Sequence, residues 1–216
     1  MKKYLEETYF INFSDASIQQ FLEKHLDEEN TEMEKVSKLY YAIRDGWWYH
    51  PYRLNFEKST WQASHLMHRK YGHCIDKSNL MIACLRGIGI PARLNLAKVK
   101  NHIGVEKIIE KMGTDELVPH AFAEVYLKEK WVKMTPVFNK ELCQMLNVEP
   151  LEFDGENDSL FQSFDKKGNQ FMEYLEYYGS FEDLPLDFII QKMREHYPEE
   201  LLSSVMEKPT ILNEGN

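Results

Sequence analysis

The chain is short of several features that would assign it elsewhere. It has three cysteines in 216 residues, Cys74, Cys84 and Cys143. That is too few and too scattered for a disulfide framework, and reduced thiols in a cytoplasmic protein are the simplest account. Basic residues are in deficit: 26 Lys and Arg against 35 Asp and Glu leave a formal net charge of −9. Nucleic-acid phosphates and anionic membranes both call for a basic surface, so neither is expected as a partner. No apolar run is long enough to span a bilayer, and MKKYLEETYF has two lysines with no apolar stretch behind them. No membrane span and no signal peptide are therefore expected. Internal repeats and low-complexity linkers are missing too, so one domain over 1–216 is the economical expectation. What is there is a globular composition, 43% hydrophobic and 13% aromatic, with enough length for a real core.

The stretch KYGHCIDKSNLMIACLRGIGIPAR, residues 70–93, organises the rest. Leu80, Cys84 and Ile88 repeat every four residues with Met81 and Leu85 beside them, which predicts a helix with a broad apolar face. Gly87 and Gly89 offer stops and Pro91 forbids continuation. Ala92, Leu94 and Leu96 then alternate as in a half-buried strand. Cys74 therefore opens a helix that runs into a sheet. Unpaired N–H groups and the helix dipole there favour negative charge, so a lowered thiol pKa is expected. The alternative is a buried, inert cysteine. Cys84, on the apolar face, is expected in the core.

Upstream, residues 4–13 read as an opening strand and Ser14 as an N-cap. Ile18, Phe21, Leu22 and Leu26 mark one amphipathic helix. Thr31 and Glu34 have capping-box spacing for a second, with a stripe of Val36, Leu39, Tyr40 and Ile43. Trp47, Trp48, Tyr49, Pro51 and Tyr52 are expected in the core, with a cleft wall as the alternative. Residues 59–68 read as a third helix. Residues 100–118 separate two strands and are long enough for a flap or for a surface insertion. PHAFAEVYL (119–127) alternates, with His120, Phe122, Glu124 and Tyr126 on one face. KWVKMT (130–135) is its hairpin partner. Lys128-Glu129 lacks the Asn-Gly of a tight turn, so a three- or four-residue loop is expected there. FDGENDSL and FDKKGNQF read as turns, FMEYLEYY as a strand, and about 186–197 and 199–207 as helices, with 211–216 frayed. Asp154, Glu156 and Asp158 lack the spacing of a calcium loop, and His73, Cys74 and His120 lack zinc-ligand spacing. Neither a metal nor a cofactor is expected.

With Cys74 and His120 placed, the chain resembles the transglutaminase-like superfamily of papain-like thiol enzymes. GHC entering a helix, LRGIGIPAR, HAFAEVYL and KWVKMTP occur in the family's order across about residues 35–139, with an extension over about 140–210. The tail resembles a bacterial branch of that family. The resemblance implies an α+β fold, in which N-terminal helices and the Cys-bearing helix pack on a small antiparallel sheet. It implies that Cys74 attacks a peptide or protein amide and forms an acyl-thioester, that His120 relays the proton, and that the Cys74 N–H helps hold the oxyanion. Water (hydrolase) or an amine (transferase) then resolves the thioester.

One position departs from the family. The third catalytic residue is usually an Asp, and this chain has Thr135 before Pro136. A threonine can accept a hydrogen bond but brings no charge. Losing the orienting carboxylate costs a serine protease about 10⁴-fold in rate. Thr135 orients the ring, or Asn139, Glu124 or Asp154 stands in, or the chain is a decayed module that binds peptide or protein. Glu124 lies roughly 13 Å along the strand from His120, so contact between them is not expected. Arg93 is expected to anchor its strand by an ion pair, and His73 to sit in the cleft or on the surface.

Overall fold

The computed structural model describes residues 1–51, 55–102, 109–110, 113–160 and 164–206, with side chains to residue 202. Its centre is helix α3. Two helices precede it, α1 (Ala16–His25) and α2 (Glu32–Gly46), followed by two short parallel strands, β1 (Trp48–Tyr49) and β2 (Tyr71–Gly72). Then come α3 (Cys74–Gly87) and the strands β3 (Ala92–Asn101), β4 (Glu116–Leu127) and β5 (Lys130–Met134). A short helix α4 (Lys140–Met145), strand β6 (Met172–Phe181) and helices α5 (Leu186–His196) and α6 (Glu199–Met206) complete the order. The main sheet is antiparallel in the order β5-β4-β3-β6. The fold is α+β, with α3 lying on β4 and β3 as the sequence implies. Among the described residues no helix is long and apolar enough to cross a membrane.

Every residue of α3 from Cys74 to Arg86 is buried, so the helix is enclosed on all sides and not only along one apolar stripe. Its polar side chains become tethers. Lys77 Nζ donates to the carbonyls of Arg44, Trp47 and Val137 at 2.7, 3.0 and 2.7 Å. Asn79 Nδ2 donates to Phe10 O and Trp61 O, and Arg86 to the carbonyls of Ala92, Glu6 and Glu182. Stretches far apart in sequence, from Glu6 to Glu182, are thereby fixed to the helix that starts at Cys74. Leu80, Met81, Cys84 and Leu85 are fully buried as the periodicity predicts.

Helix α2 starts with the expected capping box of Thr31 and Glu34 and buries Val36, Leu39, Tyr40 and Ile43. Elsewhere local reading failed. Residues 4–13 form no strand. A 3-10 turn at Lys2–Tyr4 is followed by a compact loop in which Phe10 O accepts from Ala63 N and from Asn79. Its apolar residues plug the core beside α3 instead of joining the sheet. Asp15, not Ser14, caps α1, because Ser14 Oγ donates to Glu7 and Asp15 accepts from Ser17 N. Residues 58–68 are two 3-10 helices, Lys58–Trp61 and Ala63–His68, broken by the extended Gln62. The β4–β5 turn has two residues, with Leu127 paired to Lys130 and both Lys128 and Glu129 at positive φ (47° and 65°). Such a conformation costs a non-glycine residue about 1–2 kcal/mol; the twist of the paired strands overrides the local preference.

The tail matches its reading more closely. Asp154 and Asp165 each accept backbone N–H groups of their own turns, and β6, α5 and α6 fall where expected. Of the 100–118 segment, Lys100 and Asn101 close β3 and Glu116–Val118 open β4, while 103–108 and 111–112 lie outside the described residues, as do Tyr52 and residues 211–216.

Candidate active site

Cys74 is the first residue of α3 and His73 is its N-cap. His73 Nδ1 accepts from Ile75 N and Asp76 N at 3.2 and 3.3 Å, and Asp76 Oδ2 accepts from His73 N at 3.1 Å. This reciprocal cap fixes the chain entering the helix and so the position of the cysteine. It also occupies the Nδ1 lone pair, and burial lowers the His73 pKa. Of the two expected places, cleft or surface, His73 takes the cleft: it is 5% exposed and lines the cavity that Cys74 faces. Asp76 is held in turn by an ion pair to Arg69.

The Cys74 thiol is 7% exposed, and its Sγ lies 4.0 Å from Pro119 O on β4. Burial pushes the thiol up to about 11, while the N–H groups of Ala121, Ile75 and Cys74 itself pull the other way. The expected lowered pKa is thus reversed: the helix N-terminus does favour thiolate, but desolvation outweighs it. Cys84 and Cys143 are also buried and outside any disulfide, and burial raises both.

His120 stands on β4, paired with Ala97 of β3, and is 1% exposed. Burial alone pushes it down to about 4, so the ring is neutral at pH 7. Neither ring nitrogen has a hydrogen-bond partner among the described residues. Its ring meets Tyr174 of β6 edge-on, with centroids 6.4 Å apart. Thr135 directly follows β5, is 4% exposed, and has its Oγ1 likewise unpartnered. His120 and Thr135 face one apolar cavity of about 10 Å³ with Val137, Phe138, Leu151, Leu160 and Met172. Cys74 faces another, of about 30 Å³, between His73, Ile75, the Leu117–Pro119 backbone, and Met193 and Tyr197 of the α5 end. The structure therefore sets Cys74 beside the strand that carries His120 and sets Thr135 beside His120. It forms no hydrogen bond between any two of the three.

None of the stand-ins for the carboxylate reaches His120. Asn139 Oδ1 accepts from Tyr49 N, and its Nδ2 donates to Glu141. Glu124 holds Arg93 at 2.5 Å, and the guanidinium stacks over Trp131 at 4.1 Å, which anchors the strand as expected of Arg93. Asp154 is engaged by Glu156 N and by Asn157. Of the aromatic run, Trp47 is core and donates to Leu66 O, Trp48 is half-exposed, and Tyr49 and Pro51 line the Cys74 cavity. The core reading of that run holds for Trp47. Tyr174, Met193 and Tyr197 were not legible as site neighbours, since they come from the tail and reach the site only through tertiary packing. Among the described residues, no group of three or more His, Cys, Asp or Glu could hold a metal ion.

A cysteine opening a central helix, packed on an antiparallel strand with a histidine, is the arrangement of the papain-like thiol enzyme folds. The model of the transglutaminase-like superfamily matches residues 19–136, more than half of the chain, and the chain belongs to that superfamily. A solved structure from Cytophaga hutchinsonii, provisionally described as a cysteine protease, is similar at 20% identity with a TM-score of 0.47. The match covers 62% of this chain and 40% of that one. No curated protein matches significantly.

Proposed function

We propose that the protein is a cysteine-dependent amide hydrolase or acyl transferase acting on peptide or protein amides. One observation carries the reading: Cys74 Sγ sits at a helix start where three backbone N–H groups, of Cys74, Ile75 and Ala121, favour its anion, and 4.0 Å from Pro119 O on β4, the strand that carries His120. Donors held by a helix start and a sheet need no reorganisation as charge develops, which is what lowers a barrier. In this reading the thiol proton passes to His120 as the Sγ–C bond forms. The carbonyl oxygen takes the negative charge beside the same N–H groups. His120 then gives the proton to the departing nitrogen as the C–N bond breaks. Water or an amine attacks the thioester, and Cys74 regains its proton.

A second reading has its own support. Thr135 brings no charge to His120 and no carboxylate replaces it, which fits a decayed module that binds peptide in the cleft. A panel of peptide amides separates the two. The enzyme reading expects an acyl adduct on Cys74 by mass spectrometry, release of amine or ammonia, and loss of both in Cys74→Ala. Turnover that persists in Cys74→Ala would sink it. Peptide binding without an adduct, surviving Cys74→Ala, would favour the module.

A further inference from the structure

The cover over Cys74 comes from the tail, beyond residue 136 where the family match ends. Its seat is an irregularity in the sheet. Ala97 pairs with His120 and Val99 with Leu117, so β4 has one residue more than β3 between those pairs. Val118 and Pro119 fall in this bulge, off the ladder. Val118 N–H therefore needs an acceptor from elsewhere, and Pro119 O turns to Cys74 Sγ. The acceptor is the Tyr197 hydroxyl, at 2.7 Å. Tyr197 is 6% exposed and Met193, one turn earlier, is 3% exposed; both lie against the Cys74 cavity. At the same end of α5 the Tyr197 hydroxyl donates to Glu116 O at 3.5 Å, and His196 Nε2 lies 3.3 Å from Glu116 Oε2 without a hydrogen bond to it.

We propose that α5 is a latched cover on the Cys74 cleft. Tyr197, by accepting the Val118 N–H, holds its own ring and Met193 over the thiol, and a substrate reaches Cys74 only when that hydrogen bond opens. The latch also defines what replaces it. An extended peptide laid along the bulge offers a backbone carbonyl to the same N–H, and its adjoining carbonyl carbon comes to the sulfur. The idea rests on the proposed role of Cys74 for its meaning, but its test reads access to the thiol and not turnover. Failure of the latch would leave the Cys74→Ala experiment untouched.

The test compares wild type, Tyr197→Phe and Tyr197→Ala. Iodoacetamide labelling is followed for each cysteine separately by peptide mass spectrometry at one pH, alongside amide hydrogen exchange. Tyr197→Phe deletes the hydrogen bond accepted from Val118 N–H and a long one, 3.5 Å, donated to Glu116 O, and keeps the ring, so Cys74 labelling is expected to speed up about fivefold. Tyr197→Ala speeds it further. Cys84 and Cys143 keep their rates. The Val118 amide loses protection while those of Ala121–Val125 keep theirs. An unchanged Cys74 rate in Tyr197→Phe, or retained protection at Val118, overturns the latch. So does a matching acceleration at all three cysteines, which would mean general loosening. Should Tyr197→Ala not fold, the Phe variant decides alone.

Discussion

At neutral pH the Cys74 thiol should behave as an unusually dull one, and the size of the effect can be worked out. With the thiol pushed up to about 11, about one molecule in 10⁴ carries a thiolate at pH 7, against about one in 30 for a free cysteine near 8.5. The ionised fraction is thus about 300-fold smaller. A more basic thiolate attacks about tenfold faster, given a Brønsted slope of about 0.4–0.5. Exchange with a small disulfide reagent should then run about 30-fold slower than for a free cysteine at pH 7, before any slowing from burial. The rate should keep rising through pH 10 with no neutral plateau. Linkage gives the matching sign for stability. A folded pKa above the unfolded one contributes stability that is complete below about 8.5 and is lost as pH climbs through 11. The amount is about 3 kcal/mol, read as the difference between wild type and Cys74→Ala in denaturant melts. A rate plateau with a midpoint below 8.5 that vanishes in His120→Ala would refute the reasoning. It would show a resting thiolate–imidazolium pair, which requires both groups to be far better solvated than this structure makes them.

Three other outcomes are expected. His120 is held near 4 by burial, so its contribution is present above its unfolded value of about 6.5 and is lost as pH falls through 4. Urea melts should lose about 3 kcal/mol over that interval, and an equal loss in His120→Gln would sink the idea. Lys77→Met should destabilise by about 3–5 kcal/mol by equilibrium denaturation, because three buried carbonyls lose one shared donor; a loss below about 1 kcal/mol would mean that the tether is dispensable. Burial pushes that amine down to about 7, yet its three acceptors use all three protons of the ammonium and oppose neutralisation. Thr135→Asp places a carboxylate in the cavity that His120 faces. It should raise the His120 pKa by NMR titration and speed Cys74 labelling at neutral pH; an unmoved His120 titration would show that the two side chains do not communicate.

These predictions turn on burial, which is why the sequence carried the fold better than the electrostatics. Cys74 at a helix start, Gly87 and Pro91 at its end, and the Thr31–Glu34 cap are local signals, and each appears in the structure where it was read. The alternation around His120 correctly gave a strand and its face. What failed was set by remote partners. The apolar 4–13 segment has the composition of a strand, but its Phe10 carbonyl is claimed by Asn79 and Ala63 and its Tyr9 carbonyl by Gln62. The Lys128-Glu129 turn obeys the strands on either side of it. The direction of the Cys74 pKa failed for the same reason. A helix N-terminus is visible in eight residues of sequence, whereas the burial that outweighs it comes from tertiary neighbours, among them Leu117–Pro119 of β4 and Met193 and Tyr197, more than a hundred residues away. Thr135 shows the limit from the other side. Its place after β5 and beside His120 was legible from KWVKMTP, but that Asn139, Glu124 and Asp154 are all engaged elsewhere could only be seen in three dimensions. With both members neutral and covered, the proposed chemistry begins with hydration: moving α5 admits water to Cys74, weakens the largest cause that holds its proton, and leaves the three backbone N–H groups to act on the sulfur against the Asp76 charge alone.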